Sequence, residues 1–138
     1  MRICIDSSTF IPGLQKRDPD KVKLLILVRN NIHITITRLI AKEVTRNLIA
    51  EEVREFYRLF QEEQFGQIID EPIPSALVEK YINLGLPAKA DAFIGAFAEW
   101  MNVSHLISEN RHFLRELQTT AFEIVNAAEF IKLLEDDA

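Results

Sequence analysis

The sequence predicts an α/β fold whose central sheet is mainly parallel. Short apolar runs of strand length alternate along the chain with longer segments in which apolar residues recur at helical spacing. The first of these runs, Ile3 to Ile5, is apolar throughout, which is typical of a strand buried on both faces of a sheet. Because parallel strands are joined by helical crossovers, this alternation also predicts helices on both faces of the sheet.

The elements of the first half follow from local patterns. Residues 11–20, "IPGLQKRDPD", have the composition of turns and are predicted as a loop. A helix is predicted over residues 20–30, with Asp20 as its N-cap. The alternating isoleucines of "NIHITIT", residues 31–37, predict a second strand. Thr37 then caps a helix that would be unusually long if it continued to residue 63, so we expect a break between residues 47 and 52.

The second half repeats the alternation of strands and helices. Three further short strands are predicted, at residues 67–70, 104–108 and 122–125. Two helices separate the first two of these strands: one runs from Pro74 to Leu84 and is closed by Gly85, and the other is opened by Pro87. Asn126 and Glu129 have the spacing of a capping box and predict a last helix.

Length and composition indicate a single domain that spans residues 1–138. The chain has 138 residues, of which 48% are hydrophobic, which suffices for one core and not for two ordinary domains. The longest nearly unbroken apolar run, residues 24–28, is far too short to cross a membrane, and the N-terminus has no signal-peptide pattern. Since Cys4 is the only cysteine, no internal disulfide can form. We therefore expect a cytoplasmic protein without a membrane partner.

Charge is unevenly distributed along the chain, whose net charge is −5. Residues 1–60 carry 11 Lys and Arg against 7 Asp and Glu, whereas residues 61–138 carry 5 against 14. The acidic total argues mildly against nucleic acid as a partner, but the basic first half is compatible with contacts to phosphates.

Asp6 and Asp91 are the first candidates for a functional site. In an open parallel sheet, sites form where strands end and the following helices begin, and Asp6 directly follows the first strand. Asp91 lies in the first turn of a predicted helix, on the face that it shares with Ile94 and Ala98, and so leans toward the sheet. Turn chemistry is an alternative explanation of Asp6, and attraction to the helix dipole is one of Asp91.

Two further positions extend this acidic set. Glu43 flanks the apolar stripe of the helix that Thr37 caps, although ion pairs with Lys42 and Arg46 are an alternative role for it. Residues 108–110, Ser-Glu-Asn, occupy the end of a predicted strand at the same edge as Asp6, and a strand-end turn would explain them equally well.

A cluster of carboxylates at one edge of the sheet points to a cation. Two carboxylates repel by roughly 4 kcal/mol at about 4 Å, so such a cluster persists when a cation neutralises it. A donor set made of oxygens favours Mg²⁺ or Mn²⁺ over zinc. His33, His105 and His112 have no ligand spacing with one another or with Cys4, and we interpret them as ordinary core or surface residues.

The order of these parts resembles the PIN-domain family, and in size the chain is similar to the toxin ribonucleases of VapBC modules. The resemblance covers essentially the whole chain. It rests on the ordered set of "ICIDSS", a helical Glu43, "KADAFIGAFAEW" around Asp91, "HLISENRHF" and the strand and helix "FEIVNAAEFI". No single segment is specific, and the specificity lies in their order and spacing.

The resemblance implies a three-layer α/β/α domain with one or two Mg²⁺ or Mn²⁺ ions at the carboxyl edge of its sheet. It implies an endoribonuclease that cuts RNA by metal-assisted hydrolysis, as the toxin of a type II toxin–antitoxin module. Asp6, Glu43 and Asp91 match the three principal acids of the family, which hold the metal. A cognate antitoxin protein and a second copy of the chain in a homodimer are the implied partners.

The chain departs from the family at the fourth acidic position, where Asn110 stands in place of an aspartate. The hydroxyl before this position matches Ser108, and the hydroxyl after the first acid matches Ser7 or Ser8. Asn110 keeps an oxygen ligand but loses a charge, which predicts weaker binding of a second metal. Glu109 is the neighbouring side chain that would compensate.

Two other functions remain open. Asn110 is also compatible with a catalytically weakened module of the same fold that binds RNA or another protein. A phosphoacceptor signalling domain places acids at the same edge, but it requires a lysine near the end of the last strand, and residues 122–126 contain none.

A basic stripe is the candidate surface for RNA. Arg38, Lys42 and Arg46 are spaced four apart and therefore lie on one face of a predicted helix. We expect these residues, together with Lys16 and Arg17, to follow the phosphate backbone of the substrate. The alternative is a solvated face whose cations pair with nearby glutamates.

Overall fold

The computed structural model describes residues 1–28, 31–62, 65–86 and 90–136. Within these ranges, five strands form one sheet: β1 (Arg2–Ile5), β2 (His33–Thr37), β3 (Gly66–Ile69), β4 (His105–Ile107) and β5 (Glu123–Val125). All neighbouring strands are parallel, and their order is β3-β2-β1-β4-β5. The predicted strands and the α/β fold class are confirmed.

Helices connect these strands and cover the sheet. Those in the described ranges are α1 (Ser7–Leu14), α2 (Pro19–Leu27), α3 (Arg38–Arg46), α4 (Ala50–Arg58), α5 (Ser75–Asn83), α6 (Ala90–Trp100) and α7 (Ala127–Asp136). A π-helical turn, His112–Glu116, follows β4. Helix α1 packs against α2, α3 and α4, and α2 packs against α7, whereas α5 and α6 pack against each other. The result is a three-layer α/β/α arrangement with a fully parallel sheet in the described part of the chain.

The first part of the predicted loop of residues 11–20 is helical, because it belongs to a helix that begins directly after Asp6. Residues 7–14 form α1 although Pro12 lies within them, because Asp6 caps the first turn and Phe10 is fully buried. The ring of Phe10 packs edge-on against that of Phe56, with a distance of 5.2 Å between the ring centroids. Burial of this apolar face outweighs the cost of one proline in the helix.

The N-cap of α2 is Asp18 and not the predicted Asp20. The Asp18 side chain accepts hydrogen bonds from the backbone N–H groups of Asp20 and Lys21, and Pro19 occupies the first helical position. Helix α2 ends at Leu27. The predicted end of this helix at residue 30 lies outside the described residues.

Other local predictions are confirmed. The Oγ1 atom of Thr37 accepts a hydrogen bond from the backbone N–H of Ile40 at 3.1 Å, and a break separates α3 from α4. Gly85, with φ of +105°, closes α5 in a conformation that favours glycine. Asn126 and Glu129 each accept a hydrogen bond from the other's backbone N–H, as a capping box requires.

The central strands supply much of the buried core. Cys4 and its two isoleucine neighbours in β1 are fully buried, and so are the isoleucines of β2. No helix in the described part of the chain is both long enough and apolar enough to cross a membrane.

β2 also buries two threonines in different environments. Thr37 uses its hydroxyl to cap α3, whereas the fully buried hydroxyl of Thr35 has no hydrogen-bond partner among the described residues. A buried polar group without a partner lowers stability because it has lost its bond to water.

We expect Thr35→Val to raise the free energy of unfolding by about 1 kcal/mol, because valine keeps the shape of threonine and removes the unpaired hydroxyl. Thr37→Val is the matched substitution on the same strand, and loss of the cap should lower the free energy of unfolding by about 1 kcal/mol. Urea unfolding of both variants measures the two changes. Changes of the same sign would contradict these environments.

Candidate functional site

Asp6 stands at the point where the sheet reverses its strand order. β1 lies between β2 and β4, and Asp6 joins the end of β1 to the start of α1. Its backbone N–H donates to the carbonyl oxygen of Ile107 at 3.1 Å, which continues the β1–β4 ladder to this residue. Ligands of open parallel sheets bind at such a switch point, outside the carboxyl ends of the strands. The sheet hydrogen bonds therefore fix Asp6 where a site is expected.

The carboxylate of Asp6 is buried, with 3% of the residue exposed, and is surrounded by hydroxyl donors. Its Oδ1 atom accepts hydrogen bonds from the backbone N–H of Ser8 at 3.1 Å and from the Ser8 hydroxyl at 2.5 Å. Its Oδ2 atom accepts a hydrogen bond from the fully buried hydroxyl of Ser108. Both oxygens are thus oriented by hydroxyls, one from each side of the switch point.

Burial raises the pKa of Asp6 from 3.8 to about 6. The hydrogen bonds from Ser108 and Ser8 act in the opposite direction because they stabilise the ionised form, and the nearby negative charge of Glu43 raises the pKa further. Desolvation is the larger effect. The ionised carboxylate is therefore held at a cost to stability.

Glu43 lies beside Asp6 at the same edge. The hydroxyl of Ser7 donates to Glu43 Oε1 at 2.9 Å, which ties the first turn of α1 to α3. Neither Lys42 nor Arg46, the alternative partners considered from the sequence, forms an ion pair with it among the described residues. Ser7 and Ser8 thus orient different acids, Glu43 and Asp6 respectively.

Asn110 connects the turn after β4 with Asp91 on α6. The backbone N–H of His112 donates to Asn110 Oδ1 at 2.9 Å, and the amide nitrogen of Asn110 faces Asp91 Oδ1 at 3.4 Å. The side chain therefore offers Asp91 a hydrogen-bond donor, and its oxygen is used by the backbone. That Asn110 supplies an oxygen ligand to a metal stays a prediction. The predicted start of α6 at Pro87 lies outside the described residues.

Glu109 does not fill the place of the missing aspartate. Its carboxylate Oε1 lies 3.4 Å from Lys21 Nζ and accepts a hydrogen bond from the backbone N–H of Ala127, also at 3.4 Å. The contribution of Glu109 to the site comes from its main chain, whose N–H donates to the Ser8 hydroxyl at 2.9 Å. The predicted compensation by its side chain is therefore absent, because α2 and α7 bind that side chain.

The residues of the predicted basic stripe differ in whether they form ion pairs. Arg38 forms a two-pronged ion pair with Asp70, with Nε–Oδ1 and Nη2–Oδ2 distances of 2.9 and 3.1 Å. This pair holds the pKa of Asp70 below its usual range. Lys42 and Arg46 are exposed, and neither forms an ion pair within the described ranges.

Lys16 and Arg17 are exposed at the C-terminal end of α1. Lys16 Nζ lies 4.0 Å from Glu55, and Arg17 Nε donates to the side chain of Gln15 at 2.6 Å. These contacts agree in part with the alternative of a solvated face. Lys42 and Arg46 are the members of the stripe with the most available charge.

The donor set fits a hard divalent cation by chemistry. Asp6, Glu43 and Asp91 provide carboxylate oxygens, and no described lysine or arginine forms an ion pair with any of them. No three His, Cys, Asp or Glu side chains in the described part of the chain stand close enough to hold an ion between them. That all three acids share one metal cluster stays a prediction.

The sequence analysis missed Lys21. This lysine lies on the buried face of α2, and the signal for that position was its spacing of three and four residues from Leu24 and Leu25. It also missed the π-helical turn after Asn110, for which the residue pattern gives no comparable signal.

The fold and the position of the site define a class: a PIN-like α/β/α domain with a parallel sheet of order β3-β2-β1-β4-β5. One solved structure with a similar fold is that of VapBC2 from Rickettsia felis bound to a DNA fragment from their promoter. The TM-score is 0.65 at 16% sequence identity, and the match covers 91% of this chain and 98% of that chain. At this identity the likeness shows the fold alone. No family model and no curated protein matches the chain.

The raised pKa of Asp6 predicts how stability depends on pH in the absence of metal. An acid whose pKa is higher in the folded chain adds stability when protonated, fully below the unfolded value of 3.8, and this stability is lost as pH rises through about 6. A shift of this size corresponds to about 3 kcal/mol. In EDTA, Asp6→Asn should therefore gain about 2.4 kcal/mol relative to wild type between about pH 4 and pH 7.5, because at pH 4 the unfolded chain is already partly ionised.

Urea unfolding at the two pH values measures this gain. Asn keeps an oxygen for Ser8, and the Ser108 hydroxyl can turn to accept from the new amide, so the shape of the site is preserved. Asp136→Asn, at the exposed end of α7, is the matched control and should show no comparable gain. A stability difference between Asp6→Asn and wild type that is independent of pH would contradict the prediction.

Proposed function

We propose that this chain is a metal-dependent endoribonuclease and the toxin of a type II toxin–antitoxin module, which hydrolyses phosphodiester bonds of RNA in the cytoplasm. The observation that carries the proposal is the carboxylate of Asp6. It is buried at the switch point of the sheet, is oriented by Ser8 and Ser108, lies beside Glu43, and has no cationic partner among the described residues. A divalent cation would offset the cost of this arrangement.

Asp6, Glu43 and Asp91 are the proposed ligands of Mg²⁺ or Mn²⁺. A bound cation supplies a nucleophile at neutral pH and stabilises charge that develops on the phosphate. The hydroxyls of Ser7, Ser8 and Ser108 keep the carboxylates in fixed orientations, as the groups behind metal ligands commonly do. We include Asn110 among the proposed catalytic residues because its side chain contacts Asp91. Its amide donates to that carboxylate and adds no negative charge.

The proposed partners are an antitoxin protein and a second copy of this chain. The neighbouring structure is a VapBC2 complex bound to promoter DNA, which supports a role in a toxin–antitoxin module. The match covers 98% of the matched chain of that structure and 91% of this chain, so the likeness is not confined to a fragment of either.

The second candidate is a catalytically weakened module of the same fold that binds RNA or protein. It is favoured by one observation, the amide of Asn110 facing Asp91. An amide donor neutralises part of the negative field at the edge of the sheet, and a second cation then gains less by binding there.

Cleavage of single-stranded RNA distinguishes the two candidates. We expect wild type to cut RNA in Mn²⁺ and to stop in EDTA, and Asp91→Asn to lose both cleavage and Mn²⁺ binding because it removes a proposed ligand. Asn110→Asp should bind Mn²⁺ more tightly and cut faster, and its added like charge should cost the metal-free protein on the order of 1 kcal/mol. Electron paramagnetic resonance of Mn²⁺, a labelled RNA and urea unfolding provide the three measurements.

Two charge changes outside the site serve as controls. Asp136→Asn removes a carboxylate at the exposed end of α7, and Asn31→Asp adds one before β2, at the opposite end of the sheet. Neither should change Mn²⁺ affinity. If wild type binds Mn²⁺ without cutting RNA and Asn110→Asp cuts it, the weakened module is favoured. If wild type binds no Mn²⁺, the metal-dependent nuclease is excluded.

The basic stripe is proposed to hold the phosphate backbone near these acids. Because Arg38 is engaged by Asp70, Lys42 and Arg46 should carry most of the effect. Replacing both by alanine should weaken RNA binding irrespective of sequence and reduce the slope of log affinity against log salt by about 0.7 per lost contact.

Binding of a single-stranded RNA in EDTA at several salt concentrations measures this slope without cleavage. Lys132→Ala, at an exposed position of α7, removes one positive charge elsewhere and should leave the slope unchanged. Arg38→Ala should reduce the slope less than the loss of Lys42 or Arg46. A full slope in the variant that lacks both Lys42 and Arg46 would show that the stripe is only a solvated surface.

A further inference from the structure

Lys21 is buried, which is unusual for a lysine. Only 8% of the residue is exposed, and no other lysine or arginine in the described part of the chain is buried. Its side chain leaves the apolar face of α2, which it shares with Leu24 and Leu25. Burial of a charged ammonium group is costly unless the group is paired, so its partners indicate its purpose.

Lys21 has two carboxylate partners. Its Nζ atom lies 2.6 Å from Asp18 Oδ2 and 3.4 Å from Glu109 Oε1. The pair with Asp18 is local, within one turn of α2, and such a pair forms equally well at a solvated surface. The contact with Glu109 is different, because it reaches across the fold to the turn that follows β4.

Glu109 lies at the centre of that turn. Its backbone N–H donates to the Ser8 hydroxyl at 2.9 Å, and Ser8 in turn donates to Asp6. Its carboxylate also accepts from the backbone N–H of Ala127 at the start of α7, where a negative charge is favoured by the helix dipole. The main chain of Glu109 thus contacts the site while its side chain is bound to α2 and α7.

The two neighbours of Glu109 in the chain contact the acids directly. Ser108 donates to Asp6, and Asn110 faces Asp91. Movement of Glu109 along the chain direction would displace both of these groups. The hydroxyl of Ser108 also accepts from the backbone N–H of Asn110 at 2.9 Å, which links the two neighbours of Glu109 to each other.

We propose that Lys21 is a positioning residue of the acidic site, acting through Glu109. The Lys21–Glu109 ion pair fixes the turn of residues 108–110 against α2 and α7, and thereby sets the contacts of Ser108, Ser8 and Asn110 with the acids. The role of Lys21 in metal binding rests on the proposed function. Its role in holding the turn does not.

The test removes the charge of Lys21 and measures the site with and without metal. In Lys21→Met we expect Mn²⁺ affinity to fall by about 10-fold or more, as is typical when a group behind the ligands is lost. The backbone amides of Glu109 and Asn110 should exchange with solvent faster in EDTA, because the turn that carries them is no longer fixed by the ion pair. Lys21→Arg keeps the charge and should retain slow exchange.

Lys23→Met is the matched control. Lys23 lies on the same helix and forms an ion pair of the same type, with Glu135 at 2.6 Å, but both partners are exposed. This variant should change neither Mn²⁺ affinity nor the exchange of the two amides. Thermal unfolding of both methionine variants shows whether a change reflects the site or the whole fold.

A double-mutant cycle shows whether Lys21 acts through Glu109. Glu109→Ala should weaken Mn²⁺ binding as Lys21→Met does, and Lys21→Met should then add no further loss. Unchanged affinity and exchange in Lys21→Met would overturn the proposal, and so would an undiminished loss in the Glu109→Ala background. If Lys21→Met does not fold, Glu109→Ala alone decides: the proposal fails if the amide of Asn110 keeps its slow exchange.

The same measurements separate this proposal from the proposed function. If wild type binds no Mn²⁺, the proposed nuclease function is excluded. The amide exchange in EDTA alone then tests the role of Lys21 in holding the turn. A wild type that binds Mn²⁺ while Lys21→Met changes nothing ends only the positioning role.

Discussion

The burial of one carboxylate, that of Asp6, is the constraint on which the rest of the site depends. β1 is central in the sheet, and the hydrogen bond from the Asp6 backbone N–H to Ile107 fixes the main chain of Asp6 at the carboxyl edge. An ionised group in such surroundings requires donors, and the chain supplies them from two sides, Ser8 on α1 and Ser108 after β4. Each donor is in turn held by a further contact from the turn after β4. The turn after β4 therefore contributes to the orientation of the acid.

The hydroxyls offset part of the cost of burial without removing it. The pKa of Asp6 remains raised, and Glu43 adds negative charge beside it. The amide of Asn110, which donates to Asp91, limits the accumulation of charge at the same edge. The burial of Asp6 therefore lowers the stability of the fold, which is a common relation between stability and function at charged sites.

The parts of the fold that depend on local pattern were predictable, and those that depend on distant contacts were not. Isoleucine alternation predicted β2, and the hydroxyl of Thr37 predicted the start of α3. Helix α1 was missed because Pro12 suggests a loop, whereas its stability comes from the burial of Phe10 against Phe56. The position of Asp6 could be predicted because this residue directly follows the first strand. The direction of the Glu109 side chain could not, because it is decided by Lys21, which is far away in the sequence.

A shared fold at 16% identity does not determine the chemistry of the site, which depends on a few side chains at the carboxyl edge of the sheet. The sheet brings Asp6 and the turn after β4 together whatever the activity, so architecture cannot separate a nuclease from a binding module. The group that distinguishes a nuclease from a binding module is the side chain at position 110. A carboxylate at position 110 would repel Asp91, while the amide present there faces Asp91 as a hydrogen-bond donor and adds no negative charge. The need of the remaining acids for a cation depends on Asp6. This residue is buried, and no side chain in the described ranges neutralises its charge with an ion pair.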